Sequence, residues 1–236
     1  FVRAAGEAGY PLSDDFNGAE QEGFGYYQVN QYRGSRWSVV DAYLHPARRR
    51  ANLKVETGAH VLRVLTDGKR CRGVVYRQGG RDVTVDAEAE VVLSAGAIGT
   101  PRILELSGIG DPNCLRGIGV EVSHALPGVG ENYIDHFCTR MNWRVRNMVT
   151  LNEMARGWRL GLSVAEYVAR RTGILTLGTG LVHGFLRTES TVDRPDAQFF
   201  FMHATYANAA ERILDRQPGM TVGVSQMRPE SRGSIH

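Results

Sequence analysis

The stretch that decides the fold class is residues 91–110, VVLSAGAIGTPRILELSGIG. Its apolar beginning, Val91–Leu93, predicts a short strand that is buried on both faces. The next residues, Ser94–Gly99, are mostly small and allow a bulky group to approach the backbone closely. Thr100 suits a helix N-cap and Pro101 suits the first helical position, so a helix is expected to follow. The stretch therefore predicts a strand, a tight turn and a helix.

The end of this helix is also marked in the sequence. Gly108 or Gly110 can close the helix in a left-handed conformation, and Pro112 is expected to prevent another helix from starting. A strand that leads through a glycine turn into a helix N-terminus commonly seats a cofactor. The same unit also occurs as a plain structural crossover. The residue pattern alone leaves both interpretations open.

The residues themselves resemble a family signature. Gly96-Ala97, Thr100-Pro101 and Ser107-Gly108-Ile109-Gly110 follow the order and spacing of the second signature of the glucose-methanol-choline (GMC) oxidoreductases. The resemblance is to the choline-dehydrogenase-like, alcohol-dehydrogenase branch. It implies FAD as the cofactor and an α/β fold with an added antiparallel sheet: part of a Rossmann-like FAD-binding domain plus part of a GMC substrate domain.

Composition and charge are those of an ordinary globular protein. Of the 236 residues, 42% are hydrophobic and 22% are charged. The net charge of +3 is too small to indicate binding to nucleic acid or to an anionic membrane. The longest uncharged apolar run, Gly173–Leu186, is shorter than a membrane-spanning helix. The sequence therefore predicts no nucleic-acid partner and no membrane span.

The cysteines bear on the cellular compartment. Cys71, Cys114 and Cys138 are odd in number and widely separated, which indicates free thiols in a reducing compartment. We therefore expect a cytoplasmic location, with membrane association of a longer parent protein left open. Their spacing does not match a metal site, so no metal ligand is predicted.

A run of short strands precedes the signature. Leu53 and Val55 alternate with charged residues and predict one strand. Asp67-Gly68 and Gly79-Gly80 predict hairpin turns in the meander that follows. The predicted meander strands are Val61–Leu65, Gly73–Tyr76 and Val83–Val85.

The resemblance assigns cofactor-binding residues beside this meander. Gly58-Ala59-His60-Val61 is similar to the family's Gly-Ala-x-Val segment, in which the main chain of the valine holds the adenine of FAD. Val61 is therefore a candidate cofactor-binding residue, although an ordinary strand valine would look the same. Ser94, Ala95 and Gly96, in the signature turn, are the other candidates.

Other glycine and histidine motifs carry no predicted function. None of the Gly-x-Gly segments continues into the dinucleotide-binding fingerprint, so the chain contains no Rossmann phosphate loop. His136 ends the segment PGVGENYIDH, which resembles a loop at the family's domain boundary and not a catalytic segment. The family's catalytic histidine has no counterpart here, so no catalytic residue is assigned to this chain.

The second half of the chain is expected to belong to the substrate domain. Residues from Met154 to Arg171 place apolar side chains at helical spacing, which predicts a helix that packs on a core. The domain prediction is 1–45 for a substrate-domain and FAD-covering segment, 46–136 for the FAD-binding segment and 137–236 for a truncated substrate domain. Strands are predicted at Asn142–Val145, Val182–Leu186, Ala197–His203 and Met220–Met227.

The resemblance also suggests a substrate position. Choline-specific members carry an acidic residue four places before a Gly-Phe phenylalanine, and it faces the trimethylammonium group. Here that phenylalanine is Phe185, and Leu181 stands four places before it. The alternative is an alignment shifted by a residue or two, for which Glu189 and Glu166 are the nearest acidic residues. Leu181 and the nearby His183 are therefore the candidate substrate-binding residues.

Together these features predict an internal fragment of a GMC oxidoreductase. The parent enzyme would use FAD to oxidise a small alcohol to the aldehyde and pass the electrons to oxygen or a quinone, while the fragment itself is expected to be inactive. The alternatives are choline dehydrogenase proper, a non-catalytic binding module that kept part of the fold, and an intact small domain with only architectural likeness.

Overall fold

The computed structural model describes residues 1–178 and 180–236, which form two units: residues 1–49 with 136–229, and residues 50–135 with 230–236. The α-helices are Val2–Glu7 (α1), His45–Ala47 (α2), Gly96–Leu106 (α3), Pro112–Gly117 (α4), Leu151–Met154 (α5) and Gly157–Arg170 (α6), with a π-helix at Val40–Leu44 and a 3₁₀ turn at Ile174–Thr176. The strands are Gly23–Tyr26 (β1), Gln31–Tyr32 (β2), Ser35–Arg36 (β3), His60–Asp67 (β4), Arg70–Gln78 (β5), Arg81–Asp86 (β6), Ile109–Gly110 (β7), His124–Ala125 (β8), Cys138–Arg144 (β9), Val182–Leu186 (β10), Ala197–Met202 (β11), Tyr206–Asn208 (β12), Ile213–Leu214 (β13) and Gly219–Gln226 (β14).

The first unit is built on an antiparallel sheet with the strand order β1-β10-β11-β14-β9. The four strands predicted in the second half of the chain are all present in this sheet, because their alternating or β-branched and aromatic residues suit a pleated surface. Beyond β1, residues 11–13 continue the sheet: the N–H of Ser13 donates to the carbonyl of Phe24 at 3.0 Å, and the N–H of Phe24 donates to the carbonyl of Pro11 at 2.9 Å.

One face of this sheet carries an aromatic core under α1. Phe1, at the N-cap of α1, stacks on Phe201 with ring centroids 4.6 Å apart and meets the edge of Phe24 at 5.7 Å. Phe24, Val182 and Val222 are buried. Burial of these apolar side chains anchors the short helix, which is too short to be stable alone.

A buried polar network holds the loops at one end of the sheet. The side chain of Asn152 is fully buried, and its amide nitrogen donates to the carbonyls of Thr205 at 2.8 Å and Asp215 at 3.0 Å. Its amide oxygen accepts from the N–H of Thr205 at 3.1 Å. Asn152 therefore joins α5 to two loops that are distant in the sequence.

The second unit contains the predicted meander. Strands β4, β5 and β6 form a three-stranded antiparallel sheet and include all three predicted segments. Gly79 and Gly80 have φ of 56° and 79°, the left-handed values that a two-residue hairpin turn requires. Helix α3 packs along β4, where the Oγ of Ser107 accepts from the N–H of Val64 at 2.8 Å. The predicted meander and its Gly79-Gly80 turn are confirmed. The first turn lies at Gly68 and Lys69, one residue later than the predicted Asp67-Gly68, because Asp67 still pairs with Arg70 in the ladder.

The beginning of the signature stretch differs from the prediction. Val91–Leu93 does not form a strand, and Val92 is 74% exposed, since none of the described residues supplies a neighbouring strand. Val91 and Leu93 instead line an apolar cavity of about 270 Å³. Helix α3 begins at Gly96, so Thr100 is not its N-cap and Pro101 lies inside the helix. The Oγ1 of Thr100 accepts from the N–H of Ala95 at 3.1 Å and so stabilises the start of the helix.

Of the two predictions for the end of the signature helix, the one for Gly108 was right and the one for Pro112 was wrong. Gly108, with φ of 78°, follows the C-cap of α3 as expected. Pro112, however, begins α4, because Asp111 acts as its N-cap and accepts from the N–H groups of Asn113 and Cys114. Proline is well tolerated at the first helical position because its missing N–H has no partner there.

Two further local predictions were wrong. Leu53 and Val55 lie outside any strand and are exposed, because no neighbouring strand pairs with them in the described part of the chain. The apolar residues of α6 were expected in a core. Trp158, Leu162 and Val168 are instead 71%, 61% and 71% exposed, while Ser163 on the opposite side is buried. The periodicity gave the helix correctly but could not give its orientation.

The two units meet along the chain between residues 49 and 50 and between residues 135 and 136, whereas the predicted segments end at residues 45 and 136. Residues 230–236, predicted with the substrate segment 137–236, pack in the second unit. The N–H of Tyr133 donates to the carbonyl of Gly233 at 2.8 Å, and the N–H of Ile235 donates to the carbonyl of Gly130 at 2.8 Å. The functional names of the three predicted segments remain predictions.

Within the described residues, no helix combines the length and the apolar character needed to cross a bilayer, and no group of histidine, cysteine and carboxylate side chains is arranged to hold a metal ion. All three cysteines are free thiols.

His236 links two acidic side chains in the second unit. Its Nδ1 lies 2.7 Å from the Oε1 of Glu105, a carboxylate with only 5% side-chain exposure, and its Nε2 lies 3.1 Å from the Oε1 of Glu131. Both carboxylates raise the pKa of His236, chiefly by hydrogen bonding to its charged form.

This geometry predicts a pH-dependent stability. Because the folded pKa of His236 is raised, its stabilising contribution is complete below the unfolded pKa and is lost as pH rises through the folded pKa. We expect His236→Gln to lower the melting temperature more at about pH 5.5 than at about pH 8.5. Thermal melts of both proteins at both pH values test this, and an equal difference at the two pH values would contradict it.

Candidate functional site

The candidate cofactor segment, Ser94–Gly96, is an exposed turn at the N-terminus of α3. Gly96 has φ of 83°, and a Cβ placed on it would meet no atom within 4 Å. The N-terminal peptide groups of a helix have unpaired N–H donors and carry a partial positive charge. The segment thus offers open backbone that fits a flat ring or a phosphate.

Val61 lies in β4, at the edge of the meander sheet. The strand bulges between Val61 and Arg63, and Val61 pairs with Tyr76 of β5. Among the described residues β4 has a sheet neighbour on only one side. Apart from the N–H of Val64, which donates to Ser107, the backbone groups on its other edge can therefore serve a ligand.

The structure brings these two cofactor candidates to the same end of the second unit. Arg102 of α3 contacts the ring of His60 at the start of β4 at 3.3 Å, and Ser107 contacts Val64 further along. The helix and the strand therefore run in the same sense. The start of α3 lies roughly 9 Å beyond Arg102, on the side where β4 begins.

The candidate substrate residues lie in the first unit. His183 stacks on Tyr27 with ring centroids 4.1 Å apart, and Phe16 meets its edge at 3.9 Å. Phe185, on the same face of β10, lies 5.1 Å from it. Three aromatic rings from three parts of the chain thus enclose this imidazole.

The electrostatic state of His183 follows from this enclosure. Both ring nitrogens are buried and have no hydrogen-bond partner among the described residues. Burial lowers the pKa of His183 below its ordinary value and raises the pKa of Tyr27. At neutral pH the imidazole is therefore neutral and can donate one hydrogen bond and accept another.

Leu181 is the other candidate. Its carbonyl accepts from the N–H of Tyr27 at 3.1 Å, and its N–H donates to the carbonyl of Phe201 at 3.0 Å. It precedes His183 by two residues, so both side chains lie on the same face of the sheet. No acidic side chain is among the residues found to contact His183, and the leucine itself brings no charge.

Phe16 and Tyr27 could not be identified from the sequence. They are far from His183 along the chain. Antiparallel pairing of β1 with β10 brings Tyr27 beside it, and the bonding of residues 11–13 to β1 brings Phe16 close. The Gly-Phe-Gly-Tyr-Tyr run was visible, but nothing in it specifies which strand it pairs with.

Comparisons with known proteins are consistent with this picture. The GMC oxidoreductase family (its N-terminal part) matches residues 1–138. The chain is 39% identical over 236 residues to a protein named mitochondrial choline dehydrogenase of Homo sapiens, covering 99% of this chain and 39% of that protein. It is 38% identical over 235 residues to the oxygen-dependent choline dehydrogenase of Staphylococcus aureus strain MSSA476, covering 100% of this chain and 41% of that protein.

Solved structures share the fold. A formate oxidase superposes with a TM-score of 0.80 at 21% identity, covering 97% of this chain and 44% of that one. A pyridoxine 4-oxidase from Mesorbium loti superposes with a TM-score of 0.80 at 23% identity, covering 99% of this chain and 42% of that one. The chain spans about two fifths of the length of the curated relatives it matches.

Proposed function

The chain belongs to the GMC oxidoreductase family, and on that basis we propose that the full-length protein oxidises an alcohol to the aldehyde with FAD. FAD, when bound, accepts the hydride from the alcohol carbon, while a base takes the hydroxyl proton. The chain supplies part of the cofactor site and part of the substrate wall. No residue of this chain is assigned the role of the base.

The membership confirms three predictions from the sequence. The family, the α/β fold class with an added antiparallel sheet, and FAD as the family's cofactor all agree with the match over residues 1–138 and with the shared folds. The predicted partial chain agrees with the 39% coverage of the human relative.

For the cofactor, we propose that the main chain of Val61 holds the adenine and that Ser94, Ala95 and Gly96 contact another part of FAD. The exposed turn at the start of α3 and the free edge of β4 support this. The small side chains of the turn leave the backbone accessible, which a flat ring needs for close approach.

For the substrate, we propose an alcohol without a cationic head group. The observation that carries this proposal is Leu181, which stands four places before Phe185, the spacing at which the resemblance places the carboxylate of choline-specific members. A quaternary ammonium ion has no proton to donate and is held by negative charge and aromatic faces. The neutral imidazole of His183 beside it brings no negative charge either, and an uncharged aliphatic or aromatic primary alcohol would fit both residues.

Choline dehydrogenase remains the second candidate, because proteins of that name are 38–39% identical to this chain. The aromatic rings of Phe16, Tyr27 and Phe185 could also attract a cation. The two candidates differ in the charge that they require at position 181.

Substrate kinetics separate them. We expect the purified full-length protein to show flavin absorbance and to favour benzyl alcohol or a medium-chain alkanol over choline in kcat/KM by about tenfold or more. Leu181→Glu should shift that ratio towards choline, and Leu177→Glu, at a 52% exposed leucine, is the matched control. A wild-type preference for choline would refute the uncharged substrate.

We further propose oxygen or a quinone as the electron acceptor and the cytoplasm as the place of action. The free thiols of Cys71, Cys114 and Cys138 support a reducing compartment.

A further inference from the structure

A cleft on the five-stranded sheet of the first unit has no role in the function proposed above. Arg140 of β9 and Arg212 line a cleft of about 370 Å³ together with Met202, Tyr206 and Ala209. No acidic side chain is among these lining residues. Neither guanidinium group has a hydrogen bond or an ion pair with any residue that the structure describes. Two cations thus face one cavity without a counter-charge.

The strand register places this cleft on the same face of the sheet as the candidate substrate residues. Directly opposite residues share a face of a sheet, and the register runs from His183 to Phe200, Gly223 and Arg140. Leu181 and Met202 are likewise neighbours on this face. Three strand spacings separate β10 from β9, so the backbones at His183 and Arg140 are about 14 Å apart.

Apolar side chains lie on the sheet between His183 and the arginine cleft. A Cβ at Gly223 would lie 2.5 Å from the ring of Phe200, so the missing side chain at Gly223 is what lets this ring lie over β14 towards β9. Phe200 and Met202 are only half-buried. A slender apolar molecule could lie along these two side chains, with one end near His183 and the other at the arginines.

We propose that this cleft binds the carboxylate of a long-chain or aromatic hydroxy acid whose hydroxyl end lies near Leu181 and His183. Guanidinium groups form charge-assisted hydrogen bonds with carboxylates, and two of them converge on one cavity here. The inference rests on the proposed alcohol oxidation and refines it: the substrate is uncharged near the reacting hydroxyl and anionic at its far end.

The lining favours an organic acid over a bare inorganic anion. Met202 and Tyr206 contribute a thioether and a phenol ring, which contact a hydrocarbon well and which phosphate alone would not use. Both arginines are solvent-exposed, so a moderate affinity is expected.

Binding of decanoate tests the proposal without requiring turnover. We expect isothermal titration calorimetry on the full-length protein to show decanoate binding that Arg140→Gln and Arg212→Gln each weaken about five- to tenfold. Arg146→Gln is the matched control: it removes the same charge from a residue outside the cleft and should leave binding unchanged. Absence of decanoate binding, or equal loss in the control, would overturn the proposal, as would equally tight binding of inorganic phosphate.

Turnover then links the cleft to the substrate. The ratio of kcat/KM for 10-hydroxydecanoate to that for 1-decanol should exceed one in the wild type and fall about tenfold in the Arg140→Gln Arg212→Gln double variant. An unchanged ratio would refute the link. Decanoate binding with no oxidation of any alcohol would instead show that the proposed function fails while the carboxylate site stands.

Discussion

Replacing Asn152 with alanine is expected to lower the free energy of unfolding by about 3–5 kcal/mol. The wild-type side chain is fully buried and makes three hydrogen bonds to main-chain groups of Thr205 and Asp215. The variant leaves two carbonyl groups and one N–H group without their partners, and the small cavity adds to the cost. Urea unfolding of both proteins measures the difference.

Two further variants sharpen this test. Asn152→Asp keeps the shape but sets a carboxylate oxygen against the carbonyls of Thr205 and Asp215, so it should be at least as destabilising as alanine. Asn113→Ala, at an exposed helical position, should change the stability by less than about 0.5 kcal/mol. Equal effects of Asn152→Ala and Asn113→Ala would mean that the network does not stabilise the fold.

Replacing Gly25 with alanine is expected to cost more than about 3 kcal/mol. A Cβ at this position would collide with the carbonyl oxygen of Ser13 and lie 3.1 Å from the ring of Phe16. The obstacle is backbone, so no side-chain rotation relieves it. Residues 11–13 would have to separate from β1, and Phe16 would then move away from His183.

A matched glycine should respond in the opposite direction. Gly161 lies inside α6, and a Cβ added there would meet no atom within 4 Å, so Gly161→Ala should raise the stability by about 0.5–1 kcal/mol. Thermal and urea unfolding of both variants against the wild type measure the two effects. A neutral Gly25→Ala variant would mean that residues 11–13 do not pack on β1 in solution.

The sequence alone determined the family and most of the strands. The signature in residues 91–110 carries specific residues at fixed spacing, so it pointed to a GMC oxidoreductase, to FAD and to an α/β fold without any coordinates. The sequence also predicted the three-stranded meander of β4, β5 and β6. Alternation of side chains and glycine turns such as Gly79-Gly80 are local signals, and local backbone preferences suffice to express them.

The tertiary structure decided what covers each element and which distant residues meet. Val91–Leu93 has the composition of a buried strand, but a strand needs a partner, and none of the described residues supplies one. The apolar stripe of α6 specifies a helix but not the surface that it faces, and Trp158 is exposed. Likewise, Pro112 excludes a continuing helix but begins a new one, since Asp111 caps it.

In the candidate site, too, some residues were predicted from the sequence and others were identified only in the structure. Leu181, His183 and Val61 were identified from short motifs, because spacing along the chain is what a motif records. The rings that enclose His183 and the cleft that Arg140 and Arg212 line depend on strand register and on the loops that the sheet holds, which join residues far apart in the sequence. Register is set by the packing of the whole sheet, and no local pattern contains it.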